Sequence, residues 1–339
     1  MYFFQRQQCN NGTSVGAQAN TPCSGANAQS VPPPDAIVVD ITGTNNASYQ
    51  TVAKGMLHLP NTTEEQTIFV FPGVYQEHVV IPRQAGPLVV QGYTCDMTSY
   101  TENKVTITHT TPQKDLAPEV NNNCNDLVST LRLKSSSGVK FYNVNVANPT
   151  GKINTLGQAV AVYVDAPNYG FYSCNFTGYQ DTLCASKGES STPGRTSAVL
   201  LTSSLSCRLR RGLSLVLSRR PKRAGSPPTA IGTAPTYHGR VFGSGGKRST
   251  YPGRPWHSYA RVVWQNSELS DVVNPIGWAV WDKVASTANV LFKKFTNSGP
   301  GEATDKRFSF SGQLNAYVHI TDHRDEGYES DLWVDTTFL

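Results

Sequence analysis

Four residue types in this 339-residue chain could stabilise an oxyanion, move a proton or hold a carboxylate and a sugar ring: amide, carboxylate, guanidinium and indole. The run Gly178-Tyr179-Gln180-Asp181-Thr182-Leu183 closes a strand-like stretch, and Gln158 heads the apolar stretch before it. Glutamine amides donate hydrogen bonds without carrying charge, which suits a developing oxyanion, and a carboxyl beside them can act as general acid or base. The same three residues would equally make an amide ladder between stacked coils with an aspartate in a turn, and residue types alone leave both readings open. Further along, Gly253-Arg254-Pro255-Trp256 places an arginine before a proline and next to an indole. Such a pair can hold a carboxylate bidentately and offer a stacking face to a sugar ring. Trp281 and Tyr75 could belong to a groove or to core and turn packing.

The elements that must position these groups are short. From Ile37 the chain runs through IVVDITG, TIFVFPGVY, HVVIP, PLVVQGY, KVTITH, STLRLKS, GVKFYNVNVANP, AVAVYV and GFYSCNFTG. These β-branched and aromatic runs broken by Gly, Pro and Asn are strand signals. Helical spacing appears only around Tyr49 to Leu59, where Val52, Met56 and Leu59 recur on one face. Tyr142 to Val146 aligns with Tyr172 to Phe176, thirty residues on, and each alternates polar with apolar positions. Self-similarity at that period without hairpin dipeptides predicts a parallel β-helix, an all-β solenoid, with a β-sandwich as runner-up. The fold is expected as one domain over 37–339. Residues 1–36, rich in Asn, Gly, Ser and Gln and ending in three prolines, are expected as a disordered lead-in.

One window breaks the pattern. Lys187 to Arg248 holds twelve basic residues against the single acid Glu189, a net +11 in a chain of net +5, so the remainder is −6. No Asp occurs from Thr182 to Ser270. A polyanion-binding arm, an insertion and a stretch read in the wrong frame or through an intron compete. The abrupt change in composition favours the last, and an irregular basic segment around 187–248 is expected.

Composition bounds the rest. Charged residues make up 16%, below the roughly 25% of ordinary soluble domains, which excludes charge-driven disorder. The longest apolar run, Ala159 to Val164, is six residues against the ~18 needed to cross a bilayer. The opening MYFFQRQQCNN lacks the apolar core of an export signal, yet N-x-S/T sequons at Asn11, Asn46, Asn61 and Asn175 and seven cysteines suit an extracellular protein. Secretion is the expectation.

Taken together, GYQDTL, GRPW, the upstream PGVYQEHVVIP (Pro72 to Pro82) and the downstream YARVVWQNSELSDVVNPIGWAVW (Tyr259 to Trp281) closely resemble the pectin methylesterase family, most of all its fungal secreted members. The resemblance runs from about Val38 to Ala185 and from about Tyr251 to Ser311. It implies a right-handed parallel β-helix with a shallow groove, and hydrolysis of C6 methyl esters of homogalacturonan without metal or organic cofactor. Asp181 matches the general acid that later serves as base, Gln158 and Gln180 the oxyanion-hole amides, Arg254 the arginine that orients the nucleophile, and Trp256 and Trp278 the groove aromatics. The implied partner is methylated pectin, met as a monomer, with neither nucleic acid nor membrane involved. The family also carries a nucleophilic aspartate in a D-F-I-F-G run about twenty residues after the first, and this chain has no such run. Two classes therefore stand: an esterase, or a non-catalytic pectin-binding β-helix or defective gene product. As written, the chain is expected to release methanol at close to the blank rate. If the motifs work together, Asp181 and Arg254 must lie within about 10 Å, the limit of direct or water-bridged contact.

Overall fold

The structure, a computed structural model, describes residues 23–46, 48–116, 126–135, 137–151, 156, 158–165, 168–179, 181–185, 199–209, 216–217, 236–243, 246–255, 261–278, 286–302, 306–317 and 335, with the backbone alone at 185, 199–209, 216–217, 236–238, 254 and 261. Short strands follow one another and pair with the strand one coil away. Leu88–Gly92, Val139–Tyr142 and Tyr169–Tyr172 lie parallel; so do Val105–Thr108, Val144–Ala147 and Asn175–Gly178. A third run stacks Val79–Ile81, Leu131–Leu133, Val162–Val164 and Leu183–Ala185. This is a parallel β-helix. The thirty-residue repeat is its register, with Tyr172 opposite Tyr142 and Phe176 opposite Val146. Val139 to Phe176 holds parallel strands where a sandwich would need antiparallel partners.

The alternation read in the sequence is the alternation of inside and outside. Val79, Ile81, Leu131, Leu133, Val162 and Val164 are fully buried, while Arg132 between two of them turns out to meet Asp126 at 2.6 Å. Stacked coils bring like side chains together: Phe141 lies on Phe171 with ring centroids 5.3 Å apart, and Tyr142 on Tyr172 at 4.9 Å. Four strands end directly on a corner residue in the left-handed region, Asn143 (φ 54°), Ser173 (φ 49°), Asn266 (φ 49°) and Thr296 (φ 47°). Asparagine tolerates that region better than most residues. Asn143 is held there by donation from its Nδ2 to Asn103 Oδ1 at 3.1 Å.

The helix expected around Tyr49 to Leu59 is Val52–Leu57, with Val52 and Met56 buried. Thr51 caps it, accepting from Lys54 N, and Glu77, 25 residues away, accepts from Val52 N at 2.7 Å and Ala53 N at 2.8 Å. Among the described residues no helix is long and apolar enough to cross a membrane.

Two expectations change. Residues 23–36 of the expected lead-in are ordered onto the solenoid: Cys23 and Cys95 form a disulfide, and Gln29 pairs with Thr94. A covalent tie and backbone pairing supply what a polar composition cannot. Residues 1–22 lie outside the described residues. The window expected to be irregular holds three strands in coil order. Val199–Leu209 pairs with Tyr169–Phe171 and with Asn175–Gly178, Thr236–Gly243 pairs with Val199–Leu209, and Val216–Leu217 lies between Leu183–Ala185 and Arg254–Pro255. The coil below offers a row of unpaired N–H and C=O groups. The apolar residues of VLLTSSLSCRL are enough for a strand to form on that template.

Candidate active site

The site is built at the start of the third run of strands, where the chain turns into Leu183–Ala185. Asp181 sits in that turn with φ 54° and no exposed surface, and Thr182 is equally buried. The coil beneath is seated directly on it: Ala161 N and Val162 N both donate to Thr182 O at 3.0 Å. Gly178 makes the close approach possible. A Cβ there would lie 2.6 Å from Ala159 O and 2.8 Å from Thr182 Oγ1, so any side chain would push the Gln158-Ala159 segment off the Asp181 turn.

Gln158 is half-buried at the mouth of this seat, and its N–H donates to Gln113 Oε1 at 3.3 Å. Asn148, almost wholly buried, fixes the same segment by donating from Nδ2 to Val160 O at 2.9 Å and to Val128 O at 2.7 Å. Neither Gln113 nor Asn148 stood out in the sequence. Asn148 follows a strand and precedes a proline, a signal of a turn, and Gln113 follows Thr-Pro at the start of a 3-10 turn, Gln113–Asp115, too short for any periodicity to mark it. Near this loop His109 Nε2 lies 2.7 Å from Thr111 Oγ1, and burial, then the imidazole of His78 5.5 Å away, holds His109 below the ordinary histidine value.

Arg254 is brought to the same sheet by register. Cys184 is opposite Val216, and Val216 is opposite Arg254. Two strand spacings of about 4.8 Å put the Arg254 backbone about 10 Å from that of Cys184, three residues beyond Asp181. The Arg254 loop is anchored by the buried Trp264, whose Nε1 donates to Pro252 O at 3.3 Å, and by Thr250 N donating to Val272 O at 2.9 Å. Pro252, Gly253 and Pro255 are buried. Gln180, Trp256 and the Arg254 side chain lie outside what is described, as does Trp281.

Trp278 differs from the expected groove position. It is 3% exposed and packs on Phe292 with ring centroids 4.6 Å apart, so its indole face is spent on the apolar core. Tyr75 likewise belongs to the core, 1% exposed, its hydroxyl donating to Phe71 O at 2.9 Å and accepting from Ile41 N at 3.2 Å. Among the described residues no three His, Cys, Asp or Glu side chains come together as a metal site.

A solenoid of parallel strands that sets a glutamine and a buried aspartate on adjacent coils, with an arginine further along the same sheet, defines the class of β-helical carbohydrate esterases. The Pectinesterase family model matches residues 36–189 and 237–328, and the chain belongs to that family. It is 32% identical over 332 residues to a pectinesterase of Aspergillus aculeatus, covering 93% of this chain and 95% of that one. A pectinesterase of Aspergillus niger is 34% identical over 325 residues, covering 91% and 93%. The solved pectin methylesterase of Aspergillus niger superposes with a TM-score of 0.67 at 26% identity, over 92% of this chain and all of that one. Pectin methylesterase from carrot shares the fold, with a TM-score of 0.57 at 20% identity over 85% of this chain and 90% of that one. The stretch that the family model passes over, 190–236, falls inside the basic window.

Proposed function

We propose that this chain hydrolyses methyl esters of pectin at the Asp181 site, releasing methanol. The observation that supports the reading is the pair of backbone hydrogen bonds from Ala161 N and Val162 N to Thr182 O, which hold the segment after Gln158 against the segment after Asp181. Gln158 and Gln180 hold the ester carbonyl oxygen as it gains charge, and Arg254 steadies the carboxylate groups around the reacting centre. Trp256 is assigned the role of contacting the sugar chain from its place in the GRPW motif alone.

The chain has no aspartate between Thr182 and Ser270, and the segment joining Val199–Leu209 to Val216–Leu217, Arg210-Arg211-Gly212-Leu213-Ser214-Leu215, holds no carboxylate. The covalent route of the family therefore lacks its nucleophile here, and water attacks instead. Asp181 takes a proton from that water as its oxygen bonds to the ester carbon. The C–OCH₃ bond then breaks and the proton passes from Asp181 to the departing methoxide. Enzymes stripped of a nucleophile keep about 10³–10⁴-fold acceleration over water from the oxyanion hole and binding, and this chain is proposed to work in that range, above the near-blank rate expected from the missing aspartate alone.

Rapid quenching during methanol release, followed by intact-protein mass measurement, tests the water route. Methanol should form with no sugar adduct on the protein, whereas an accumulating acyl adduct would show a covalent nucleophile and overturn it. The protein is proposed to work outside the cell. The Cys23–Cys95 disulfide fits an oxidising compartment, and the Aspergillus niger relative carries an N-acetylglucosamine stub.

A further inference from the structure

Asparagine sequons differ in whether the folded chain leaves room for a glycan. Asn175 lies in the strand Asn175–Gly178, with Asn145 opposite on one side and Ser206 on the other, and its Oδ1 is buried. An oligosaccharide there would have to displace the strands that flank the half-buried side chain on both sides. Asn46 is exposed, but the hydroxyl of Ser48, the third residue of its sequon, donates to Asn45 O at 2.6 Å in a turn gathered around Asp40. Asn11 lies outside the described residues.

Asn61 is different. Asn61 and Thr63 are both exposed, and neither side chain makes a hydrogen bond among the described residues. The loop that carries them is nonetheless held in place. A Cβ at Gly86 would meet Glu64 O at 2.5 Å and Thr62 O at 2.7 Å, so the backbone of Thr62 to Glu64 lies flat on Gly86 while Asn61 and Thr63 face solvent. Thr62 Oγ1 accepts from Glu64 N at 3.3 Å and takes no part in the sequon. Leu57, four residues upstream, is 81% exposed, the highest value among the exposed large apolar side chains. The C–H face of a sugar is the kind of surface that covers such a residue.

We propose that Asn61 carries an N-linked oligosaccharide and that Asn175 does not. The proposal rests on the reading of the protein as secreted. The reaction joins Asn61 Nδ2 to the anomeric carbon of an oligosaccharide supplied on a polyprenyl diphosphate. A C–N bond forms, the C–O bond to the diphosphate breaks, and the amide proton leaves with the diphosphate.

The full chain, fused to a cleavable secretion leader and expressed in yeast, tests it. After release of glycans by peptide-N-glycosidase in heavy-oxygen water, peptide mass spectrometry should find Asn61 converted to labelled aspartate and the Asn175 peptide unchanged. Asn61→Gln and, should that variant fold poorly, Thr63→Ala should each remove one glycan's worth of gel mobility shift. An unmodified Asn61 in the secreted, folded protein would overturn the proposal, as would a labelled Asn175. Because the fused leader supplies export, the modification test stands apart from the secretion reading, which is tested separately by following export of the chain from its own start in the same host.

Discussion

Adding one methyl group at Gly178 tests how the site is held together. In Gly178→Ala the new Cβ would lie 2.6 Å from Ala159 O, a backbone atom, and 2.8 Å from Thr182 Oγ1, where ordinary contact begins at 3.4 Å. Relief requires a movement of about 0.8 Å between the two coils. The Thr182 hydroxyl can rotate away, but Ala159 O moves only with its backbone, and Gln158 is the next residue. A displacement near 1 Å costs about 10²-fold in rate when it separates groups that must act together. Overpacking of this kind costs about 1–3 kcal/mol in stability. Methanol release from methylated pectin, measured beside a thermal melt, should therefore fall about 100-fold, with a drop of a few degrees in Tm. Full activity in a folded Gly178→Ala protein would refute the claim that the contact between these coils aligns amide and carboxylate.

Gln113 should behave as a positioning residue for Gln158. Gln113→Leu removes the acceptor for Gln158 N and should lower kcat several-fold with little change in KM, while Gln113→Glu, which keeps the acceptor oxygen, should restore most of the loss. Asp40 should make the fold acid-sensitive. Burial pushes its carboxyl up, but hydrogen bonds from Thr42 and Asn45 outweigh this and hold it well below the usual carboxylate range. A depressed folded value means that the stabilisation is present above about pH 4 and drains away as pH falls through the folded value. Asp40→Ala should cost about 2 kcal/mol by urea titration at neutral pH, and Asp40→Asn should flatten the slope of stability against pH between about 4 and 2.

Much of this molecule is legible in its residues because a solenoid is locally repetitive. Alternation in Val79–Ile81, Leu131–Leu133 and Val162–Val164 fixes which side faces in, and the offset between Tyr142 and Tyr172 is the length of one coil. The convergence of distant groups is less legible. That Arg254 shares a sheet with Cys184 depends on Val216 lying between them, and nothing in the basic text around Val216 announces a strand. Strand formation there follows from the open edge of the coil below, a tertiary effect that composition does not carry. Trp278 is hard to place for a related reason: an indole serves a groove or a core equally well, and the ring of Phe292 lies against it. Gln113 acts through one side-chain contact from a single 3-10 turn, Gln113–Asp115, too short to leave a pattern in the sequence.

The central claim is that Asp181 carries ester hydrolysis. Its most direct test is the initial rate of methanol release from highly methylated homogalacturonan by the purified full chain and by Asp181→Asn, each compared with buffer. The account predicts a slow release, about 10³–10⁴-fold above uncatalysed hydrolysis, that falls to the blank in the variant while circular dichroism and melting stay unchanged. Equal rates for the two proteins, whether both at the blank or both well above it, would contradict it.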